Sequence, residues 1–331
     1  MASTTGLCGK RILILGGTGF IGSAVVQALL ARACTLTILT RGARDGDLPA
    51  EVERLHGDRD AGPAGIAALG TRTWDACVDL SGYTAIQVRA SSRALAGRVE
   101  RYLFISSAAA YGPLSNGPVD ESTPLTPEAP ETETDLAGGN YGRLKATCER
   151  IVRETFGARA TLLRPQVVAG PDDSWPRLGH WVQRALLPGP MLAPGAGQDW
   201  LQLIDVEDVA RFVGTVLEHK LPGAFNLAGE RVRWTEFMSM LGVPDPVWVP
   251  WGMLEEAGLN FQLLPLYRAN GQPYSGLMDV SNAKARSLGL RITPLADTIA
   301  RVRASIQQGA RIPLALDPER EAELIRRARS A

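Results

Sequence analysis

The chain has 331 residues, 35 basic and 35 acidic side chains, and a hydrophobic content of 45 %. That length exceeds one small domain, and that composition suits a globular protein with a substantial core. A formal net charge of +0 excludes a whole-surface attraction to nucleic acid or anionic lipid, and no apolar run reaches the roughly 18 residues of a membrane span.

The first ten residues lack the basic-then-apolar pattern of a signal peptide. Residues 11–15 (RILIL) predict a buried strand, followed by a glycine-rich turn over 16–22 and a helix over 23–32. Further strands are predicted at 35–40, 52–56, 75–80, 101–106 and 161–163, with segments of helical length between them. Continuous apolar strands alternating with helices mean a parallel sheet covered on both faces, so the fold class is α/β, doubly wound. Beyond residue 168 the chain turns rich in Gly, Pro and Trp. Short strands at 201–204 and 224–227 flank a helix at 206–219. This predicts a dinucleotide-binding (Rossmann) domain at 8–170 plus 200–228, a smaller discontinuous C-terminal substrate-binding cap at 171–199 plus 229–316, and a charged C-terminal helix at 317–331. Cys8, Cys34, Cys77 and Cys148 are scattered without a C-x-x-C pair, which predicts free thiols in a reducing cytoplasm. Only three histidines occur, with no H-E-x-x-H spacing, so no metal site is expected.

The turn reads Gly16-Gly17-Thr18-Gly19-Phe20-Ile21-Gly22. Gly16 suits the tight turn, Gly19 leaves room for a pyrophosphate, and Gly22 lets helix and strand pack closely. The helix N-terminus then offers N–H groups to the phosphates. At the end of the second strand an NAD site usually carries an acid for the ribose 2′-OH. Here stand Thr40 and Arg41, and a guanidinium suits a 2′-phosphate, which favours NADP(H) over NAD(H).

Tyr141 and Lys145 form a Tyr-x-x-x-Lys pair, which a helix places on one face. A free phenol has a pKa of about 10. A nearby ammonium favours the phenolate, so that the tyrosine can exchange a proton with a carbonyl or alcohol oxygen. Ser106 and Ser107 end a buried strand at the sheet edge where ligands bind, and Ser107 suits a hydrogen bond to the substrate oxygen.

With G-x-x-G-x-x-G spacing, Ser107, Tyr111-Gly112, a Pro-rich loop and Tyr-x-x-x-Lys in this order, the chain resembles the extended short-chain dehydrogenase/reductase family, the NAD(P)-dependent epimerase/dehydratase superfamily. The resemblance runs from Arg11 to about Ser305 and looks greatest to the reductase-like members. It implies a catalytic Ser107, Tyr141 and Lys145, with Lys145 also holding the nicotinamide ribose. It adds Thr18, Phe20, Ile21, Asp58, Arg59, Leu80, Ser81, Pro165 and Val168 to the cofactor residues. Dehydratases and decarboxylases of the family carry acids just after the catalytic Ser or Thr, where this chain has Ala108 and Ala109. Neither alanine can transfer a proton. That leaves hydride transfer between a nicotinamide and the carbonyl or secondary alcohol of a small molecule, with Tyr141 as acid/base.

For the substrate, the candidates are Ser107, Ala108, Trp175, Arg177, Trp181 and Trp200. Asp205 is expected only to cap the helix that follows it. The alternatives are a sugar-nucleotide epimerase with tightly bound NAD(P), and a non-catalytic cofactor-sensing or RNA-associated protein of the same fold. The expected partners are a small-molecule substrate and, as relatives pair through two helices beside the active site, a second copy in a homodimer. No nucleic acid and no membrane are expected.

Overall fold

In the computed structural model, residues 6–43 and 48–330 are described; residues 1–5 of the polar N-terminus and Ala331 of the predicted last helix lie outside them. β1 (Arg11–Leu15) is followed by α1 (Phe20–Leu30), β2 (Thr35–Thr40), β3 (Glu53–His56), β4 (Trp74–Asp79), α2 (Ala85–Leu95) and β5 (Val99–Ile105). Then come α3 (Asn140–Phe156), β6 (Ala160–Pro165), β7 (Val168–Ala169), α4 (Leu178–Ala185), β8 (Leu192–Pro194), β9 (Trp200–Gln202), β10 (Ile204–Asp205), α5 (Val206–Glu218) and β11 (Gly223–Leu227). The chain ends with β12 (Arg231–Arg233), α6 (Trp234–Met240), β13 (Val247–Val249), α7 (Trp251–Glu256), α8 (Ala283–Ser287), α9 (Leu295–Gln307) and α10 (Pro318–Ser330).

Seven strands form one sheet in the order β11-β6-β5-β4-β1-β2-β3, and every pairing in it is parallel. The order reverses between β1 and β4, so a crevice opens at the C-terminal ends of those strands. One face packs α1 and α5 over Ile12, Ile14, Val78 and Leu163; the other packs α2 and α3 over Leu13, Leu15, Cys77 and Phe104. Alternate residues of β1 therefore serve opposite layers, which is why its sequence is apolar throughout.

A second apolar cluster lies beyond the sheet, built from Ala169, Trp181, Leu192, Trp234, Phe237, Leu254, Tyr267, Ile299, Leu324 and their neighbours. α10 belongs to this cluster. Its Glu321 is buried, bonds Arg184 at 2.6 Å and accepts from the Leu192 N–H at 2.9 Å. Three arrangements depart from the sequence expectation. Ala285, Leu290 and Ile292 join the core on the α1/α5 face, because Lys284 reaches the Ala224 carbonyl and the segment follows β11. The strand expected at 201–204 is split: β9 pairs antiparallel with β12 while β10 pairs with β7. Gln202 bonds the backbones of Gly229 and Val280 there and pins the break. α1 also starts at Phe20, three residues earlier than periodicity predicts, since the glycine turn leads straight into it. Among the described residues, no helix is long and apolar enough to cross a membrane.

Candidate active site

The glycine turn joins β1 to α1 at the switch point of the sheet. Gly16 adopts φ +85°, and a Cβ there would lie 2.5 Å from that of Ser81. A Cβ at Gly22 would lie 2.7 Å from the Gly16 carbonyl oxygen, so the helix could not close on the strand. At Gly19 a Cβ would meet nothing within 4 Å, and that glycine is the exposed N-cap of α1, with no side-chain cap and no acid in the first turn. Open space in front of unsatisfied N–H groups at a helix N-terminus fits a dinucleotide pyrophosphate. Thr18, Phe20 and Ile21 are partly buried around the turn, and Phe20 packs toward Gly170. Leu80 continues β4, its N–H bonded to the Leu15 carbonyl, and Pro165 and Val168 are buried at and just past the end of β6.

Arg41 follows β2 and is exposed, with no guanidinium partner among the described residues. The neighbouring Thr40 hydroxyl accepts the Gly42 N–H at 3.0 Å, shaping the bend. Asp58 is exposed and accepts the Asp60 N–H, capping a short turn.

Arg59, expected to contact the cofactor, is turned inward instead. Its guanidinium forks onto Asp79 at 2.6 and 2.8 Å and also reaches Ser81, Ser91 and the Gln87 carbonyl. Asp79 is wholly buried and accepts a third donor, the Tyr102 hydroxyl, at 2.7 Å. Burial works against the charge on Arg59, but the Asp79 carboxylate outweighs it and holds the guanidinium above the usual arginine value. An acid inside the apolar β4 requires a buried counter-ion, and Arg59 is that ion. Ser81 joins the same network and packs on Gly16.

At the end of β5, Ser107 caps a short turn over Ala108–Tyr111, its hydroxyl accepting the Ala109 N–H at 3.1 Å. The Ser107 hydroxyl stands close enough to the Tyr141 phenol to act on it. The approach is close because Gly142 lets α3 settle on that turn: a Cβ there would lie 2.1 Å from the Ala109 carbonyl oxygen. Ala108 is buried. Burial pushes the Tyr141 phenol up; the Ser107 hydroxyl and the Arg177 charge oppose it.

Lys145 lies one turn further along α3 and is buried. Its ammonium donates to the carbonyls of Gly82 at 2.8 Å and Ile105 at 2.9 Å. It faces the rings of Tyr83 and Phe104, each 4.8 Å to the centroid, and Tyr141 at 5.9 Å. Burial pushes it below the ordinary lysine value. The sequence expectation made Lys145 the cation acting on the phenol; its ammonium lies 5.9 Å from the Tyr141 ring, and the Arg177 charge also favours the phenolate.

Arg177 is held by Asp173 through two bonds of 2.8 Å. Trp175 is 68 % exposed and available to a ligand. Trp200 is partly buried, with the guanidinium groups of Arg231 and Arg233 at 4.1 and 3.6 Å from its ring centroid. Trp181, expected to line the substrate pocket, is a core residue. It is 1 % exposed, its indole N–H donates to the Pro265 carbonyl at 2.7 Å, and its ring packs edge-on against Trp234. Asp205 caps α5 as expected, accepting the Glu207 N–H at 2.9 Å. Among the described residues no group of three or more His, Cys, Asp or Glu could hold a metal ion.

Sequence reasoning overlooked Tyr83, although an aromatic residue directly after Gly82 at a strand end was a visible signal. It also left the charges of Asp79 and Glu149 unassigned.

Comparison with known proteins places this arrangement among relatives. The family model described as NAD dependent epimerase/dehydratase family matches residues 12–228. The 2'-dehydrokanamycin reductase of Streptomyces kanamyceticus is 27 % identical, over 80 % of this chain and 81 % of its own. A chloroplast stem-loop binding protein of 41 kDa from Arabidopsis thaliana is 26 % identical, over 67 % of this chain and 59 % of its own. The structure of UDP-glucuronic acid 4-epimerase from Bacillus cereus in complex with NAD superposes with a TM-score of 0.64 at 17 % identity, covering 90 % of this chain and 99 % of that one.

Proposed function

The chain belongs to the NAD dependent epimerase/dehydratase family, and on that premise we propose that it is an NADP(H)-dependent reductase of a ketone on a small, polar molecule. The observation that carries this reading is the placing of Tyr141 on α3 against the turn that Ser107 caps at the sheet edge, a turn whose next three residues are alanines. That site offers a proton to a carbonyl oxygen and has no carboxylate in the turn to drive an elimination.

When bound, the nicotinamide supplies the hydride. The work of the chain is positional and acid–base. Gly16, Gly19 and Gly22 with the N-terminus of α1 would hold the pyrophosphate, and Arg41 the 2′-phosphate. Lys145, with two of its three protons on backbone carbonyls, keeps one donor for the ribose hydroxyls. Ser107 would donate to the substrate oxygen, and Tyr141 would deliver its proton there. Burial keeps Tyr141 protonated at neutral pH, the state in which a reduction must begin. Trp175, Arg177 and Trp200 are the candidates to meet the rest of the substrate. The reductase relative, aligned over four-fifths of both chains, supports reduction.

A panel of keto-sugars and other ketones with NADPH tests this. Stoichiometric NADPH oxidation is expected, and Tyr141→Phe should lower turnover about 10²–10⁴-fold while leaving NADPH affinity nearly unchanged. Substrate interconversion without net NADPH oxidation would establish epimerisation, which the fold relative makes the second reading. Full turnover by Tyr141→Phe would sink both.

A further inference from the structure

We propose that Tyr83 is a positioning residue for Lys145, holding its ammonium at the mouth of the site through the face of the phenol ring. The inference rests on the reading of Tyr141 and Lys145 as the working pair. The ammonium is matched by two carbonyl dipoles and three ring faces, with no carboxylate in contact. Phe104 is locked in the core of β5, and the Tyr141 ring lies farther off, at 5.9 Å. Tyr83 alone of the three is exposed, at 38 %, so its ring separates the ammonium from solvent. Removing it would let water in and free the lysine to swing.

The backbone holds Tyr83 in place. Its N–H donates to the Gln87 side chain at 2.8 Å, and the Gln87 amide donates in turn to Asp60 at 2.5 Å. Gly82 packs so tightly that a Cβ would lie 2.7 Å from Phe104 and Val88, which brings its carbonyl onto Lys145. The Tyr83 hydroxyl has no partner among the described residues, so the ring face rather than the hydroxyl does the holding. The other groups acting on Lys145 are Asp79 on β4, Arg59 after β3 and Cys148 on α3. The first two are spent on each other.

The experiment compares the full chain with Tyr83→Phe and Tyr83→Leu. Two readouts are taken: dissociation constants for NADPH and NADH, and the 13C-lysine spectrum. The chain holds only Lys10, Lys145, Lys220 and Lys284, so the Lys145 signal is assignable. Tyr83→Phe should keep wild-type affinity and the ring-shifted Lys145 side-chain signal. Tyr83→Leu should lose that shift and bind both cofactors about 2- to 30-fold more weakly, the range of a cation–π contact, at an unchanged melting temperature. Wild-type affinity in Tyr83→Leu, or an unmoved Lys145 signal, overturns the proposal alone. If the wild-type chain binds neither cofactor, this proposal and the functional reading both fall.

Discussion

Arg164 on β6 and Glu149 on α3 meet in a fork of two hydrogen bonds, 2.8 and 2.7 Å long, with their side chains 2 % and 0 % exposed. The same guanidinium donates to the Tyr111 hydroxyl at 2.8 Å, and that hydroxyl donates to Asn226 on β11. One buried cation thus ties the helix carrying Tyr141 and Lys145 to the turn carrying Ser107. Replacing Glu149 by Gln leaves the Arg164 charge buried without its counter-ion. We expect a loss of about 3–5 kcal/mol in denaturant unfolding, and partial recovery when Arg164→Met is added, because the pair's desolvation cost disappears with it. A Glu149→Gln variant of wild-type stability would contradict this account.

The glycines of the turn separate into two kinds. Gly22→Ala drives a methyl group into the backbone of Gly16 and Gly17, at 2.7 Å. It should lower the melting temperature and cost about 1–3 kcal/mol. Gly19→Ala meets open space and should leave the melting temperature alone while weakening dinucleotide binding. Thermal melts with and without NADPH distinguish the two; equal effects on stability would refute the division.

Arg41 tests the choice of cofactor. Arg41→Ala removes charge-assisted bonds worth about 1.5–3 kcal/mol, so NADPH should bind roughly 10- to 150-fold more weakly. NADH, which lacks the 2′-phosphate, should be almost unaffected. Parallel fluorescence titrations measure both, and an equal loss for the two cofactors would remove Arg41 from that role.

His180 should make stability depend on pH. Burial, with the Arg184 charge beside it, pushes its imidazole down to about 4 from 6.5. Its Nδ1 accepts the Ala315 N–H at 3.1 Å, which fixes the neutral form. The unfolded chain takes up this proton below pH 6.5 and the folded chain only near pH 4. Its contribution is therefore complete above pH 6.5, falls through that interval by about 3 kcal/mol, and stays flat below it. His180→Asn should flatten this part of the profile in urea unfolding at stepped pH; an unchanged slope would show that other groups carry it.

Much of the fold was readable from local pattern. The strand predicted at 11–15 is β1 and that at 35–40 is β2, because an apolar run ending at a glycine turn has one stable solution in a parallel sheet. The Gly16–Gly22 motif and the Tyr141/Lys145 spacing were likewise local, one set by backbone sterics and the other by helix geometry. Trp181 was not readable in this way. A tryptophan in a Gly/Pro-rich stretch suits a pocket wall and a core equally, and only the packing of α6 and the Pro265 carbonyl against it decided.

The sequence alone determined the alternation of strands and helices, the glycine turn between the first strand and helix, the one-face spacing of Tyr141 and Lys145, and the neutral overall charge. Each depends on residues within a few positions of one another or on a simple sum. The tertiary structure decided where the charges go. It turned Arg59 from the cofactor to Asp79, gave Glu149 to Arg164, paired Arg177 with Asp173, and laid Tyr83 over Lys145. The physical reason is that a buried charge takes its meaning from its partner. Those partners lie on separate strands and helices, brought together only by the order in which the sheet is wound.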